Sequence, residues 1–221
     1  MGEPFAVTDC AMIAIATGEK AANLRELHDR LRRIDAPDIM YFHFWGGLLR
    51  PHFVDPEYQN DFAAWAYHSL HDRYLAERLS VINPSRFERM ADLRRQVIEV
   101  VEDRMDEPDF DPRTDGESSF FFIRGQIVVF DTGIRVDAPQ QMAQRIGQMT
   151  PGSIFYHFID ARRRTASGNN DFSEWLGSFG GGYAELASRI CALDPYLTSL
   201  LELRAEIARV FLEGTGQGGQ R

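Results

Sequence analysis

A chain of 221 residues with 44% hydrophobic and 26% charged side chains has the composition of a folded globular protein rather than a disordered one. A formal net charge of −9 argues against sequence-independent nucleic-acid binding, which needs a basic face. No apolar run approaches the roughly 20 residues of a membrane span, and the N-terminus MGEPFAVTDC lacks the basic and apolar regions of a signal peptide. Two cysteines, Cys10 and Cys191, are too few for a disulfide framework or a zinc knuckle, so a cytoplasmic protein is expected.

The first apolar stretch, Phe5–Thr17, is rich in alanine and reads as strand or helix, with Gly18 marking its end. Leu24, Leu27, Leu31 and Ile34 recur at helical spacing and predict a helix over Asn23–Ile34. The segment around His43 predicts a helix with Asp38 as N-cap. Asn60 suits the N-cap of a longer helix, and Asn83-Pro84 opens another with a cap followed by proline. Residues 102–117, EDRMDEPDFDPRTDGE, contain eight acidic side chains, and 106–117 read as a solvated linker. Asp109, Asp111 and Asp115 lack the glycine and glutamate spacing of a calcium-binding EF-hand loop.

A similar order then returns. FFFI and QIVVF flank Arg124-Gly125 within Phe120–Thr132, which suggests two short strands and a tight turn, with Gly133 as the end. Met142, Ile146 and Met149 predict a helix over Pro139–Met149. Ser153 is the expected N-cap of the segment bearing His157, Asn170 caps the next helix, and Asp194-Pro195 opens the last. Gly180-Gly181-Gly182 lacks the context of a phosphate loop and reads as a break in a helix that is continuous in the first half. Residues 214–221 read as a flexible glycine-rich tail.

Aligning His43 with His157 also aligns Phe44 with Phe158 and Arg50 with Arg164. A four-residue deletion then brings Asn60-Asp61-Phe62 and Trp65 onto Asn170-Asp171-Phe172 and Trp175. The register continues through Pro84 with Pro195 and Leu93-Arg94 with Leu203-Arg204, and upstream through Phe5 with Phe120 and Gly18 with Gly133. The expected fold is α+β and helix-dominated. Two tandem homologous units, 3–105 and 118–213, each carry a short β segment followed by about four helices.

At these residues the chain resembles a bacterial family of unknown function whose members carry a Y/F-H…N-D-F-x-x-W…L-A-E-R-L pattern. It is present as Tyr41-Phe42-His43, Asn60-Asp61-Phe62…Trp65 and Leu75-Ala76-Glu77-Arg78-Leu79, and again as Phe155-Tyr156-His157 and Asn170-Asp171-Phe172…Trp175. The resemblance covers the chain outside linker and tail and implies no activity.

The repeated constellation supplies the candidate ligand-binding residues: His43, Arg50, Asn60, Asp61 and Trp65, and His157, Arg164, Asn170, Asp171 and Trp175. In a helix, His43 and Arg50 lie seven residues apart on one face. A His–Asp pair fixes a tautomer and raises imidazole basicity, or it is a satisfied polar bridge between helices with the tryptophan in the core. Arginine forks suit phosphate or carboxylate. Trp65, Trp175, Tyr41 and Tyr156 offer faces to a sugar ring.

These residues lead to the expectation of a non-catalytic binding or interaction module. It would serve a small anionic or carbohydrate-like ligand or a protein partner, with no cofactor, as a monomer. The alternative is a metal-dependent hydrolase of the all-helical HD type. There a divalent metal would be held by His43, His68, His71 and Asp72, on the spacing His68-x-x-His71-Asp72, with His52 as the alternative to His43 upstream. The cysteines do not recur between the copies and read as inert.

Overall fold

A computed structural model of the protein describes residues 3–34, 36–50, 56–108, 110–196 and 198–216. It is an α+β protein, 55% helical and 17% strand. The sheet has two strands, β1 (Phe5–Ala21) and β2 (Phe120–Val136). The chain divides into two compact units, and the division passes through both strands. One unit is Met12–Gln126; the other is Met1–Ala11 with Ile127–Arg221. Each unit therefore holds the N-terminal half of one strand and the C-terminal half of the other. A linear cut at 106–117 does not describe this arrangement.

Alternation makes the strands. Phe5 and Val7 are buried with Ala6 exposed between them, and Phe120 and Phe122 are buried with Phe121 exposed. The ambiguous stretch Phe5–Thr17 is strand throughout. No turn forms at Arg124-Gly125, and β2 runs straight on. Gly125 provides clearance there, because a Cβ would sit 3.1 Å from Met12 Sδ and 3.2 Å from Phe42 Cβ, closer than ordinary van der Waals contact. Nor do Gly18 and Gly133 end their strands. They lie within them at φ +83° and +73°, a conformation glycine adopts without a Cβ penalty. In one unit the Thr17 hydroxyl donates to the Phe122 carbonyl and accepts from the Glu19 N–H. In the other, Thr132 donates to Val7 and accepts from Ile134.

In the unit Met12–Gln126, α1 (Leu24–Arg33) starts where expected. Asn23 accepts from the Glu26 N–H, and Glu26 reaches back to the Ala22 N–H, a reciprocal cap. α2 (Pro37–Trp45) begins with Pro37 at its first turn and has no side-chain cap. Asp38 pairs instead with Arg124. Residues 39–45 are buried on every side of α2, so this helix runs through a core. Asn60 caps α3 (Asp61–His68) as expected.

The single longer helix expected after Asn60 is broken. Asp72 caps a separate α4 (Arg73–Ser80), and His71 takes φ +54° between the two. Asn83-Pro84 opens only a 3-10 turn, Pro84–Arg86, and α5 (Met90–Met105) starts after it. The acidic segment belongs to this unit and is fastened to it. Asn23 donates to Asp115, the Arg25 N–H to Pro112, the Gly116 N–H to Ala22 and the Glu117 N–H to Ser69. Asp109 lies outside the described residues.

In the other unit, α6 (Pro139–Ile146) buries Met142 and Ile146. Thr150, rather than Ser153, caps α7 (Pro151–Ile154), which continues as a π turn, Phe155–Ile159, and a 3-10 turn, Asp160–Arg163. α8 (Asp171–Gly177) is capped by Asn170. The glycines lead through a short turn, Gly181–Tyr183, into α9 (Ala184–Cys191). Asp194-Pro195 forms a turn closed by the Tyr196 N–H, and α10 (Leu200–Gly216) follows. That helix occupies 214–216, part of the expected tail; 217–221 lie outside the described residues. Among the described residues α1–α5 lie in one unit and α6–α10 in the other, where about four helices each are expected from the sequence. Arg94 binds the Ile34 carbonyl after α1, and Arg204 binds the Met149 carbonyl after α6.

The tightest backbone approach is Gly152 of α7 against β1, where a Cβ would collide with Asp9 Oδ1 and the Cys10 carbonyl. Gly152→Ala is therefore expected to destabilise by about 2 kcal/mol and lower Tm by about 5 °C. Gly177→Ala, whose Cβ would meet nothing within 4 Å, should leave Tm unchanged or higher. Thermal unfolding of the two variants checks both.

Candidate functional site

The repeated constellation assembles in each unit around a histidine set against a strand. His43, on α2, places Nδ1 2.8 Å from Asp61 Oδ2 at the start of α3. Its Nε2 accepts the backbone N–H of Ile123 on β2 at 3.1 Å. An imidazole nitrogen that accepts an amide hydrogen carries no proton, so the hydrogen sits on Nδ1 and is donated to the carboxylate. In the other unit His157 Nε2 accepts from the Thr8 N–H at 2.9 Å, and Nδ1 lies 2.8 Å from Asp171 Oδ2. The side chains of both histidines are almost fully enclosed, 2% and 4% exposed.

Phenylalanines complete each enclosure. Phe120 stacks on Phe62 at 4.9 Å and lies 4.7 Å from the His43 ring. Phe5 stacks on Phe172 at 5.2 Å and lies 4.7 Å from the His157 ring. Neither tryptophan offers an open face, since Trp65 and Trp175 are 7% and 8% exposed. Each tryptophan N–H is spent on the backbone leading into a strand, Trp65 on the Ser118 carbonyl and Trp175 on that of Glu3, both at 2.8 Å. The asparagines act as caps: Asn60 Oδ1 accepts from Ala63 and Asn170 Oδ1 from Ser173.

The arginines are committed too. Arg50 donates to both oxygens of Asp61, at 3.2 Å each, and its guanidinium lies 5.0 Å from the Phe42 ring. It leaves the helical face assumed from sequence, because α2 ends at Trp45 and a 3-10 turn, Gly46–Leu49, redirects the chain. Arg164 bridges Asp171 and Asp160, donates to the Tyr156 carbonyl and stands 3.9 Å over the Tyr156 ring. Asp160 is a site residue that the sequence reading missed. It is 1% exposed and binds both Arg163 and Arg164. The only signal was a carboxylate one helical turn before the Arg162-Arg163-Arg164 run.

Burial pushes the His43 pKa down, outweighing the favourable hydrogen bond and charge of Asp61. Burial would raise Asp61, but the hydrogen bond and charge of His43, with Arg50, bring it below the usual carboxylate range. Both shifts favour a neutral imidazole over an ionised carboxylate. Cys10 is pushed up to about 12 by burial, with Asp160 and Asp9 adding to the rise, and its thiol donates to the Gly152 carbonyl. It is no nucleophile at neutral pH.

The set for metal binding does not converge. His43 is enclosed as above, and His71 pairs with Glu117 at the surface. Asp72 caps α4 and pairs with Arg104 at 2.7 Å, while His68 is exposed against Tyr67. Among the described residues no group of three or more His, Cys, Asp or Glu side chains is placed to hold a metal ion. His52 lies outside those residues. None of the described helices is long and apolar enough to cross a membrane.

A concavity of about 380 Å³ opens beside His157, with Glu3, Asp171, Glu174 and Trp175 among its walls. Its carboxylates make it unfavourable for an anion. The His157 ring and the Asp171 carboxylate there already bind each other.

A family model described as a family of unknown function, DUF5752, matches residues 2–212. Among solved structures, OrfY from Thermoproteus tenax is similar, with 26% sequence identity and a TM-score of 0.81 over 98% of this chain and 98% of that one. No curated protein matches.

The depressed His43 pKa fixes the sign of a pH effect. The unfolded histidine takes up a proton below its ordinary value near 6.5 while the folded one resists it. Stability from this group is present in full above that pH and is lost as pH falls toward the folded pKa. Tm is expected to decline between pH 7 and 5, before the carboxylates titrate. In His43→Leu that part of the decline should vanish. The variant, which leaves the Ile123 N–H without its acceptor, should be less stable at pH 7 by about 1–3 kcal/mol. Unfolding curves across pH measure both.

Proposed function

The chain belongs to DUF5752, a family of unknown function, and we propose that it is a non-catalytic binding module made by internal duplication. In this reading the His–Asp–Arg clasps are fasteners, and recognition of a small ligand or protein partner takes place elsewhere on the surface. The observation that carries it is that both ring nitrogens of both histidines are already used, one on a strand N–H and one on a carboxylate. Such a histidine has no lone pair for a substrate proton. Its aspartate, held by histidine and arginine, does the work of positioning.

The duplication is supported by contacts that recur at matched positions. Ile123 and Thr8 donate to the two histidines, Ser118 and Glu3 accept from the two tryptophans, and Phe122 and Val7 accept from Thr17 and Thr132. Arg94 and Arg204 close equivalent helix ends. On this reading the copies have exchanged strand halves, so each set of helices holds the start of the other copy's strand. The same proposal keeps the protein cytoplasmic, monomeric and free of a cofactor.

Two measurements test it. Incubation with chromogenic phosphate and carboxylate esters, with and without Mn²⁺ or Zn²⁺, is expected to give no turnover. Turnover that falls in Asp171→Asn would overturn the reading. In a thermal-shift panel of sugars, sugar phosphates and organic acids, any stabilisation of wild type is expected to survive in Arg50→Gln/Arg164→Gln. Its loss there would place the ligand on the clasps instead.

A further inference from the structure

A second concavity, of about 360 Å³, lies where the end of β2 meets the outward face of α6 and the turn beyond it. Its walls are Arg135, Val136, Gln141, Gln144, Arg145 and Gln148. Gln141, Gln144 and Arg145, at i, i+3 and i+4, share one face of α6, and Gln148 joins them from the turn beyond it. That face is one wall of a recess in which carboxamides and guanidinium groups stand together.

The charges in the recess are unequal in what they have left to offer. Arg135 is held by both oxygens of Asp131, at 2.9 and 2.8 Å. This pairing and the Gly133 N–H hold Asp131 at a pKa of about 2, so Arg135 is neutralised in place. Arg145 donates through one Nη to Gln148 Oε1 at 3.1 Å. Among the described residues no carboxylate lies within 4.0 Å of its guanidinium. In a chain of net charge −9, with most arginines in ion pairs, this leaves one unbalanced positive charge inside a polar recess. Gln141 and Gln144 make no side-chain hydrogen bond within the protein among the described residues, so their donors and acceptors face solvent.

We propose that this recess binds a small oxyanion that carries hydroxyl groups, in its simplest form a phosphomonoester of a polyol. The Arg145 fork would take the phosphate oxygens in a charge-assisted pair. The carboxamides of Gln141 and Gln144, each both donor and acceptor, would take hydroxyl or ester oxygens. A cation is disfavoured by Arg145 and an apolar ligand by the polar walls. The volume falls in the range of small-ligand pockets. The inference rests on the reading of the protein as a binding module and supplies that module with a site and a ligand class.

The test is a heteronuclear NMR titration of the full chain with glycerol phosphate, inorganic phosphate and glycerol at matched ionic strength. Glycerol phosphate is expected to shift the amides of residues 139–149 saturably, inorganic phosphate more weakly, and glycerol not at all. Arg145→Gln should weaken both anions by roughly tenfold or more. Gln144→Ala should weaken glycerol phosphate and spare inorganic phosphate. Both side chains are at the surface, and unchanged Tm values establish that the variants fold. Absence of a saturable shift, or equal affinity in Arg145→Gln, would overturn the proposal. The ester assay described above reports separately: turnover with intact binding removes the non-catalytic reading and keeps this site, and no turnover with no binding does the reverse.

Discussion

A strand amide handed to an imidazole is the contact on which the rest of each unit is arranged. A two-stranded ladder leaves half of its backbone N–H groups without a strand partner, and such a group becomes costly once covered. Ile123 and Thr8 are two of these, and His43 and His157 receive them. Accepting that hydrogen fixes the tautomer, which demands a carboxylate on the far side of the ring. Asp61 and Asp171 meet the demand from the first turns of α3 and α8, where the helix N-terminus also favours their charge. The arginine then balances each carboxylate, and stacked phenylalanines exclude water from the ring. Each group is where it is because of the one before it.

This explains why residues that look like catalytic machinery are enclosed. A histidine–aspartate pair acts as a base when the second ring nitrogen is open to a substrate. Here that nitrogen points at backbone. The same economy commits Arg50 and Arg164 to the carboxylates of Asp61 and Asp171 and closes Trp65 and Trp175 to solvent. The recess at Arg145 has the opposite character, with side chains that have polar capacity left over and no internal use for it.

Local features were legible in the sequence. The leucine spacing located α1, and Asn60 and Asn170 announced their helices because an asparagine cap acts within three residues. The pairing of His with Asp and its recurrence were also visible, although its burial was not. What failed depended on distant chain. Arg124-Gly125 looks like a turn until Met12 and Phe42 are seen against it, and only their proximity makes the glycine a matter of clearance. Asp38 was a reasonable cap that an ion pair with Arg124 diverts. The break before α4 has no glycine to mark it; His71 takes the left-handed conformation itself. The strand donors Ile123 and Thr8 could not be found from side-chain identity, because the donating group is backbone.

The division of both strands between the units has a consequence for the order of events at the ribosome. Met12–Gln126 is a continuous stretch, and everything it needs has been made once residue 126 has emerged. The other unit combines Met1–Ala11 with Ile127–Arg221, which are made on either side of that stretch. Phe5 must wait for its stacking partner Phe172, a delay of roughly 10–30 s at ~5–20 residues per second. One unit can thus form before the other has all of its chain. Until then the chain carries an apolar segment, Phe5–Val7, whose place has not yet been made.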